Sequence, residues 1–113
     1  MTATIETGTI VRCPKRVDGQ IVGTRKAVVL GLFNPNDPNS GYGVWFYTAG
    51  PADTGTLTLA FERELTPVGT IEDMSERTLL NLERDGRNFS GAHALRMKAS
   101  TLRLRKASAR RGY

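Results

Sequence analysis

Lys26-Ala27-Val28-Val29-Leu30 is the stretch on which the fold turns: a short, continuous apolar run entered from a basic residue. A run of this length, bounded by turn residues, reads as a buried central strand. Other strand-like segments lie close on either side. Thr9-Ile10-Val11-Arg12-Cys13 reads as a first strand, ended by Pro14 and followed by a polar turn through Asp18-Gly19. Gly43-Val44-Trp45-Phe46-Tyr47-Thr48 reads as an aromatic strand. Thr56-Leu57-Thr58-Leu59-Ala60-Phe61 alternates polar and apolar residues as a half-buried strand does. Asn34 to Gly41 are eight consecutive turn formers, which predicts an exposed, mobile loop, and Ala49 to Gly55 make a further turn.

The pattern changes after Pro67 and Gly69. Asp73-Met74-Ser75-Glu76 offers a capping Asp with a Glu three residues later; Leu79, Leu80 and Leu82 supply an apolar side, and Gly86 is placed as a stop. A helix is predicted over about 74–85. The segment after it supports two readings. Leu95, Met97 and Ala99 alternate with Arg96 and Lys98, and Leu102 and Leu104 with Arg103 and Arg105, a period of two that suits a strand or hairpin. Leu95, Ala99, Leu102 and Lys106 also stand at helical spacing, among residues of good helix propensity. Helix is favoured for 92–99, 101–106 stay open between the two, and 107–113 are expected to fray. The expected class is α+β: a small SH3-like or OB-like antiparallel β-barrel of four or five short strands, then a helix and a basic amphipathic C-terminal segment. Residues 1–91 form the barrel and helix, and 92–113 an extension of the same single domain.

Charge is unevenly distributed. Residues 84 to 113 hold nine of the sixteen Lys and Arg residues and one of the eleven carboxylates, Asp85, a net +8. Residues 1 to 83 are net −3. A field of this kind attracts polyanions, and nucleic acid, DNA or RNA, is the commonest. The basic residues are interleaved with apolar ones and are Arg-rich, which suits bidentate phosphate contacts. Arg96, Lys98, Arg103, Arg105 and Lys106 are the candidate phosphate contacts, with Arg25 or Lys26 extending the track. An acidic protein partner, or an anionic membrane surface, would be drawn by the same field.

The chemistry-bearing residues are few. One Cys (Cys13) and one His (His93) exclude an intrachain disulfide and a Cys/His zinc site, so no metal or cofactor is expected. No apolar run approaches membrane-spanning length, and no signal segment opens the chain, so it is expected to be cytoplasmic. Ser90 stands three residues before His93 without a third catalytic group. Cys13 lies in an apolar strand, where a small core residue is expected. Glu62 and Glu64 share a face if Phe61 to Leu65 is extended. Gly19 and Gly23 lack P-loop spacing. Tyr42, Trp45, Phe46 and Tyr47 make up half of the eight aromatics. Alternation puts Trp45 and Tyr47 on one face and Val44 and Phe46 on the other, so Trp45 and Tyr47 are candidates for stacking on bases.

Gly23-Thr24-Arg25-Lys26-Ala27-Val28-Val29-Leu30 resembles a segment of the MazF/PemK ribonuclease toxins, in which a Gly and basic residues precede an Ala-Val-Val-Leu strand. Gly8-Thr9-Ile10-Val11 is similar to that family's first strand, and Leu65 with Val68-Gly69-Thr70-Ile71 to its Leu…Ile-Gly-x-Leu segment. The resemblance covers residues 8 to about 85. It implies an SH3-like barrel, commonly a homodimer, cutting single-stranded RNA without metal. Arg25 would then be the general acid or phosphate-binding residue, and Thr48 the transition-state hydrogen-bond donor. The chain departs from the pattern at Lys26, where the family has Pro, at Cys13-Pro14-Lys15-Arg16, and in its basic extension. Three functional expectations follow: a non-enzymatic nucleic-acid-binding module, a metal-independent endoribonuclease of a toxin–antitoxin pair, or a phage or mobile-element structural or regulatory protein with an acidic partner.

Overall fold

The computed structural model describes residues 5–47 and 56–111. Five strands form one antiparallel sheet in the order β4-β3-β2-β1-β5. They are β1 (Thr9–Val17), β2 (Gln20–Leu32), β3 (Tyr42–Phe46), β4 (Thr56–Ala60) and β5 (Thr66–Thr70). Two helices follow, α1 (Glu76–Asp85) and α2 (His93–Arg110). This is the expected α+β arrangement, with the apolar run 26–30 inside β2 at the centre of the sheet. Among the described residues no pairing joins β4 to β5, so the sheet stays open where a closed barrel was expected.

Several elements exceed their sequence signals. β1 passes through Pro14 to Val17, whereas Pro14 was expected to end it. Pairing of β1 with β5 stops at Arg12 and Thr66, so Pro14 lies where β1 has no neighbour on one side. That is the position in a sheet that tolerates a missing N–H. Asp18 (φ 52°) and Gly19 (φ 82°) make the left-handed two-residue turn that a twisted hairpin favours. β5 has no sequence signal of its own, because Pro67 and Gly69 break its alternation; it is an edge strand with a bulge opposite Ile10 and Val11. The 34–41 loop, expected to be mobile, is closed on itself. The side chain of Asn34 accepts from Asn36 N–H, that of Asp37 from Asn39 N–H, and Ser40 Oγ from Asn34 N–H.

α1 is capped by Ser75, not Asp73: Ser75 Oγ accepts from Thr78 N–H at 3.2 Å. Asp73 instead closes a 3-10 turn that precedes the helix. Gly86 ends α1 as expected, but with right-handed backbone (φ −63°). Its use is proximity, since a Cβ there would lie 3.1 Å from Arg96 Cγ on α2.

The ambiguous basic segment is one helix. Leu95, Ala99 and Leu102 are buried at helical spacing, while Met97 and Leu104, which a strand would have placed with Leu95 and Leu102, are both 59 % exposed. The expected fraying begins later than residue 107, because α2 continues to Arg110, whose side chain is held by Glu76.

Both faces of the sheet are buried. Ile10, Val28, Leu30 and Trp45 meet Leu79, Leu82, Leu95 and Ala99 of the helices. Val11, Cys13, Ala27, Val29, Val44 and Phe46 form a second cluster with Ala60 and Leu65 on the opposite face. Each fully buried aliphatic side chain contributes about 1.5–3 kcal/mol.

Candidate nucleic-acid interface

The interface is best built from the charges of the helical layer. α1 and α2 run antiparallel, and three arginines tie up every carboxylate they carry. Arg103 Nε meets Glu83 Oε2 at 2.6 Å, Arg110 Nε meets Glu76 Oε2 at 2.8 Å, and Arg84 Nε meets Asp85 Oδ1 at 2.9 Å. The hydrogen bond from Arg110 holds the Glu76 carboxyl below its usual range. Glu83 raises the Arg103 guanidinium in the same way. Arg96 is also engaged: its Nε donates to the Glu83 carbonyl at 2.9 Å. The five helical residues expected on phosphate therefore divide. Arg96 and Arg103 hold α2 against α1, while Lys98, Arg105 and Lys106 make no ion pair among the described residues. Lys98 and Arg105 are exposed and lie two turns apart on one flank of α2, roughly 10 Å along its axis. Arg77, Arg87 and Arg111 are exposed and likewise without a carboxylate partner.

The two residues expected to extend this track are separated by the sheet. Arg25 pairs with Cys13 and Lys26 with Arg12, so their side chains leave opposite faces. Arg25 is folded back: its Nη1 donates to the Thr24 carbonyl at 3.2 Å and lies over Gly23, where a Cβ would come within 2.6 Å. Lys26 is exposed and stands across the ladder from exposed Arg12. Like charges directly opposed on one face are unfavourable unless an anion lies between them. Lys26 also lines a cleft of about 220 Å³ with Tyr47, Asp73, Ser75 and Thr78. That cleft adjoins the first turn of α1, whose Glu76 grips Arg110 near the end of α2. Lys26 and Arg12 thus share one end of the molecule with Arg77, Arg110 and Arg111. Sequence reading missed Arg12 and Arg77.

The aromatic candidates are placed differently. Trp45 is 2 % exposed, and its Nε1 donates to Asp85 Oδ2 at 3.1 Å. It anchors α1 to β3 and has no free ring face for a base. Tyr47 is half-buried and stacked on Trp45, with centroids 5.6 Å apart. Burial, then the charge of Asp73, pushes its hydroxyl pKa up. Both faces of this strand are core, because residues 42–46 are buried throughout.

Among the described residues the enzyme candidates stand apart from one another. Thr48 lies outside the described residues, as does the side chain of Ser90, and His93 is exposed. Residues 62–64 form a 3-10 turn where an extended pair of carboxylates was considered. Glu62 accepts from Tyr42 Oη at 3.2 Å, and Glu64 from Arg16 at 2.7 Å, so each has its own partner. Cys13 is buried, and its thiol is pushed up to about 11 by burial and then by the charge of Glu64. Among the described residues no His, Cys, Asp and Glu group has metal-binding geometry, and no helix is long and apolar enough to cross a membrane.

No curated protein and no solved structure matches the chain. A family model does match it, over residues 1–111, and on that match this chain belongs to DUF6409, a family of unknown function.

Proposed function

We propose that the protein is a non-enzymatic nucleic-acid-binding module whose helical layer grips phosphates. One observation carries the reading: Glu76, Glu83 and Asp85 are all held by arginines, which leaves Arg77, Arg87, Lys98, Arg105, Lys106 and Arg111 without an ion pair among the described residues. Four of these cations stand on α1 and α2, Arg87 in the turn after α1 and Arg111 just past α2; joined at one end by Arg12 and Lys26, they are a surface for a polyanion. Lys98 and Arg105 are the residues most available to phosphate. Arg103 and Arg96 support them by fixing α2 on α1.

The test is fluorescence anisotropy of labelled DNA and RNA across a salt series. Five or six phosphate contacts predict a loss of affinity of about a thousandfold between 50 and 200 mM salt. The Lys98→Ala/Arg105→Ala double variant should flatten the slope of log K against log salt by about 1.8. Salt-independent binding, or none, overturns the reading. Shortening of RNA in the same tubes, lost in Arg25→Ala, would replace it with the endoribonuclease reading.

A further inference from the structure

Resting on that nucleic-acid reading, we infer that the cleft between the sheet and the start of α1 is a pocket for one unpaired guanine base, read by Asp73 and Tyr47. The cleft measures about 220 Å³. That is below the roughly 300–1,000 Å³ of a pocket that encloses a drug-sized ligand, so it admits a ring system and leaves sugar and phosphate outside. Its walls include Ile10 and Met74, both buried, and the exposed aliphatic side chain of Val68 on β5. A base carries its polar atoms on its edge, and its faces suit apolar walls of this kind.

The cleft holds opposite charges that do not meet. Lys26 and Asp73 both line it, yet no ion pair joins them among the described residues. Asp73 Oδ2 accepts a long bond from Thr70 N–H, at 3.4 Å, and Oδ1 has no hydrogen-bond partner among the described residues. The Tyr47 hydroxyl makes no hydrogen bond there either. Burial raises its pKa first, and the nearby Asp73 carboxylate raises it further. The Ser75 and Thr78 hydroxyls, by contrast, are engaged: they lie 3.0 Å apart, and Ser75 Oγ also takes the Thr78 N–H. One acceptor, Asp73, one neutral donor, Tyr47, and one cation, Lys26, are thus left for a ligand.

Guanine has the complementary edge. Its O6 accepts, and beside it N1–H and N2–H₂ are two adjacent donors that a carboxylate takes as a fork. Tyr47 Oη donates to O6 while Asp73 accepts from N1 and N2. Adenine, cytosine and thymine each set a ring acceptor or carbonyl next to their donor, and that atom would face the carboxylate. In a duplex this edge of guanine is occupied by cytosine, so the pocket takes the unpaired base. Lys26 is exposed, and exposed Arg12 stands directly across the ladder from it. The phosphate of the bound nucleotide lies between these two cations and relieves their repulsion.

The experiment uses labelled thymidine oligomers carrying one central guanine, hypoxanthine, adenine or cytosine, with a duplex as control. Each is titrated with the full chain, Asp73→Asn, Tyr47→Phe and Lys98→Ala/Arg105→Ala. The wild type should prefer guanine to hypoxanthine, which lacks the N2 amino group, by about tenfold or more, the worth of one hydrogen bond to a charged acceptor. Asp73→Asn keeps an acceptor for Thr70 N–H and should bring guanine down to hypoxanthine. Tyr47→Phe should weaken both by the same factor, since both carry O6. The helix variant should keep the preference and lose salt slope. Equal binding of all four oligomers, wild-type preference in a folded Asp73→Asn, unchanged affinities in Tyr47→Phe, or binding confined to the duplex overturns the pocket alone. No binding of the wild type to any oligomer or to the duplex overturns the nucleic-acid reading itself. Melting temperatures of the variants establish that they are folded.

Discussion

Arg103 on α2 holds Glu83 on α1 by two hydrogen bonds, Nε to Oε2 at 2.6 Å and Nη2 to Oε1 at 3.3 Å. An arginine that reads as a phosphate contact in the sequence is a clamp between helices in the structure. A forked pair of this kind is geometrically specific, and Lys would not replace it. Arg103→Ala should therefore lower the melting temperature by a few degrees and leave the salt slope of nucleic-acid binding unchanged. Glu83→Gln should also lower the melting temperature, yet steepen the slope, because it frees a cation. Thermal melts and a salt series on the two variants separate the clamp from the contact.

Trp45 ties β3 to α1 through its bond to Asp85. It is the chain's single tryptophan, so its fluorescence reports on this contact alone. Saturating nucleic acid should leave that emission unquenched, and quenching by stacked bases would show that the indole is accessible. Trp45→Phe preserves an aromatic ring and removes the N–H, leaving Asp85 with Arg84 but without its buried donor. The expected cost is about 1–3 kcal/mol in chemical denaturation.

Cys13 is raised from 9.0 to about 11 in the folded protein. Its neutral thiol is favoured by the fold, so the associated stability is fully present below pH 9 and is lost as pH rises toward about 11. The difference corresponds to roughly 2–3 kcal/mol. Tyr47, also raised, adds loss in the same direction at still higher pH. Denaturation curves across the alkaline range should show a smaller decline for Cys13→Ala than for the wild type. A thiol reagent at neutral pH should label Cys13 only as fast as the protein opens.

Glu64 titrates low because Phe61 N–H donates to it at 3.1 Å and Arg16 at 2.7 Å. A depressed carboxyl stabilises the fold above its unfolded pKa, near 4.5, and ceases to do so as pH falls through its lower folded value. Acidification should thus release the β1–β2 hairpin from the turn at 62–64. Amide exchange in residues 13–24 should rise below about pH 4, and Glu64→Gln should show the same rise at neutral pH. Unchanged exchange in that variant would mean that the Glu64 contact does not hold the hairpin in place.

Much of the fold was legible in order. The continuous apolar run in 26–30, the aromatic strand, the alternating strand after residue 56 and the leucine-bearing helix are all present, because each carries a local sequence pattern. β5 was not legible, since its pairing with β1 comes from tertiary contact and not from alternation. The C-terminal segment was undecidable by pattern, as Leu95, Met97 and Ala99 fit period two while Leu95, Ala99 and Leu102 fit period 3.6. Packing against the sheet chose the second and left Met97 exposed.

The candidate site shows the same division. Composition and charge count alone determined that this chain has a strongly cationic end, a single Cys and a single His. Only the tertiary structure decided which cations are free. Arg96, Arg103 and Arg110 lie along α2 where α1 presents Glu83 and Glu76, a match between residues 13 to 34 positions apart that no local pattern contains. It also decided that Arg12 stands opposite Lys26. A regular two-residue hairpin at Asp18-Gly19 would have paired Arg12 with Arg25; the bulge at Val22 moves the register by one residue. Because strand side chains alternate, that single slip puts Lys26, and not Arg25, on the face that carries Arg12.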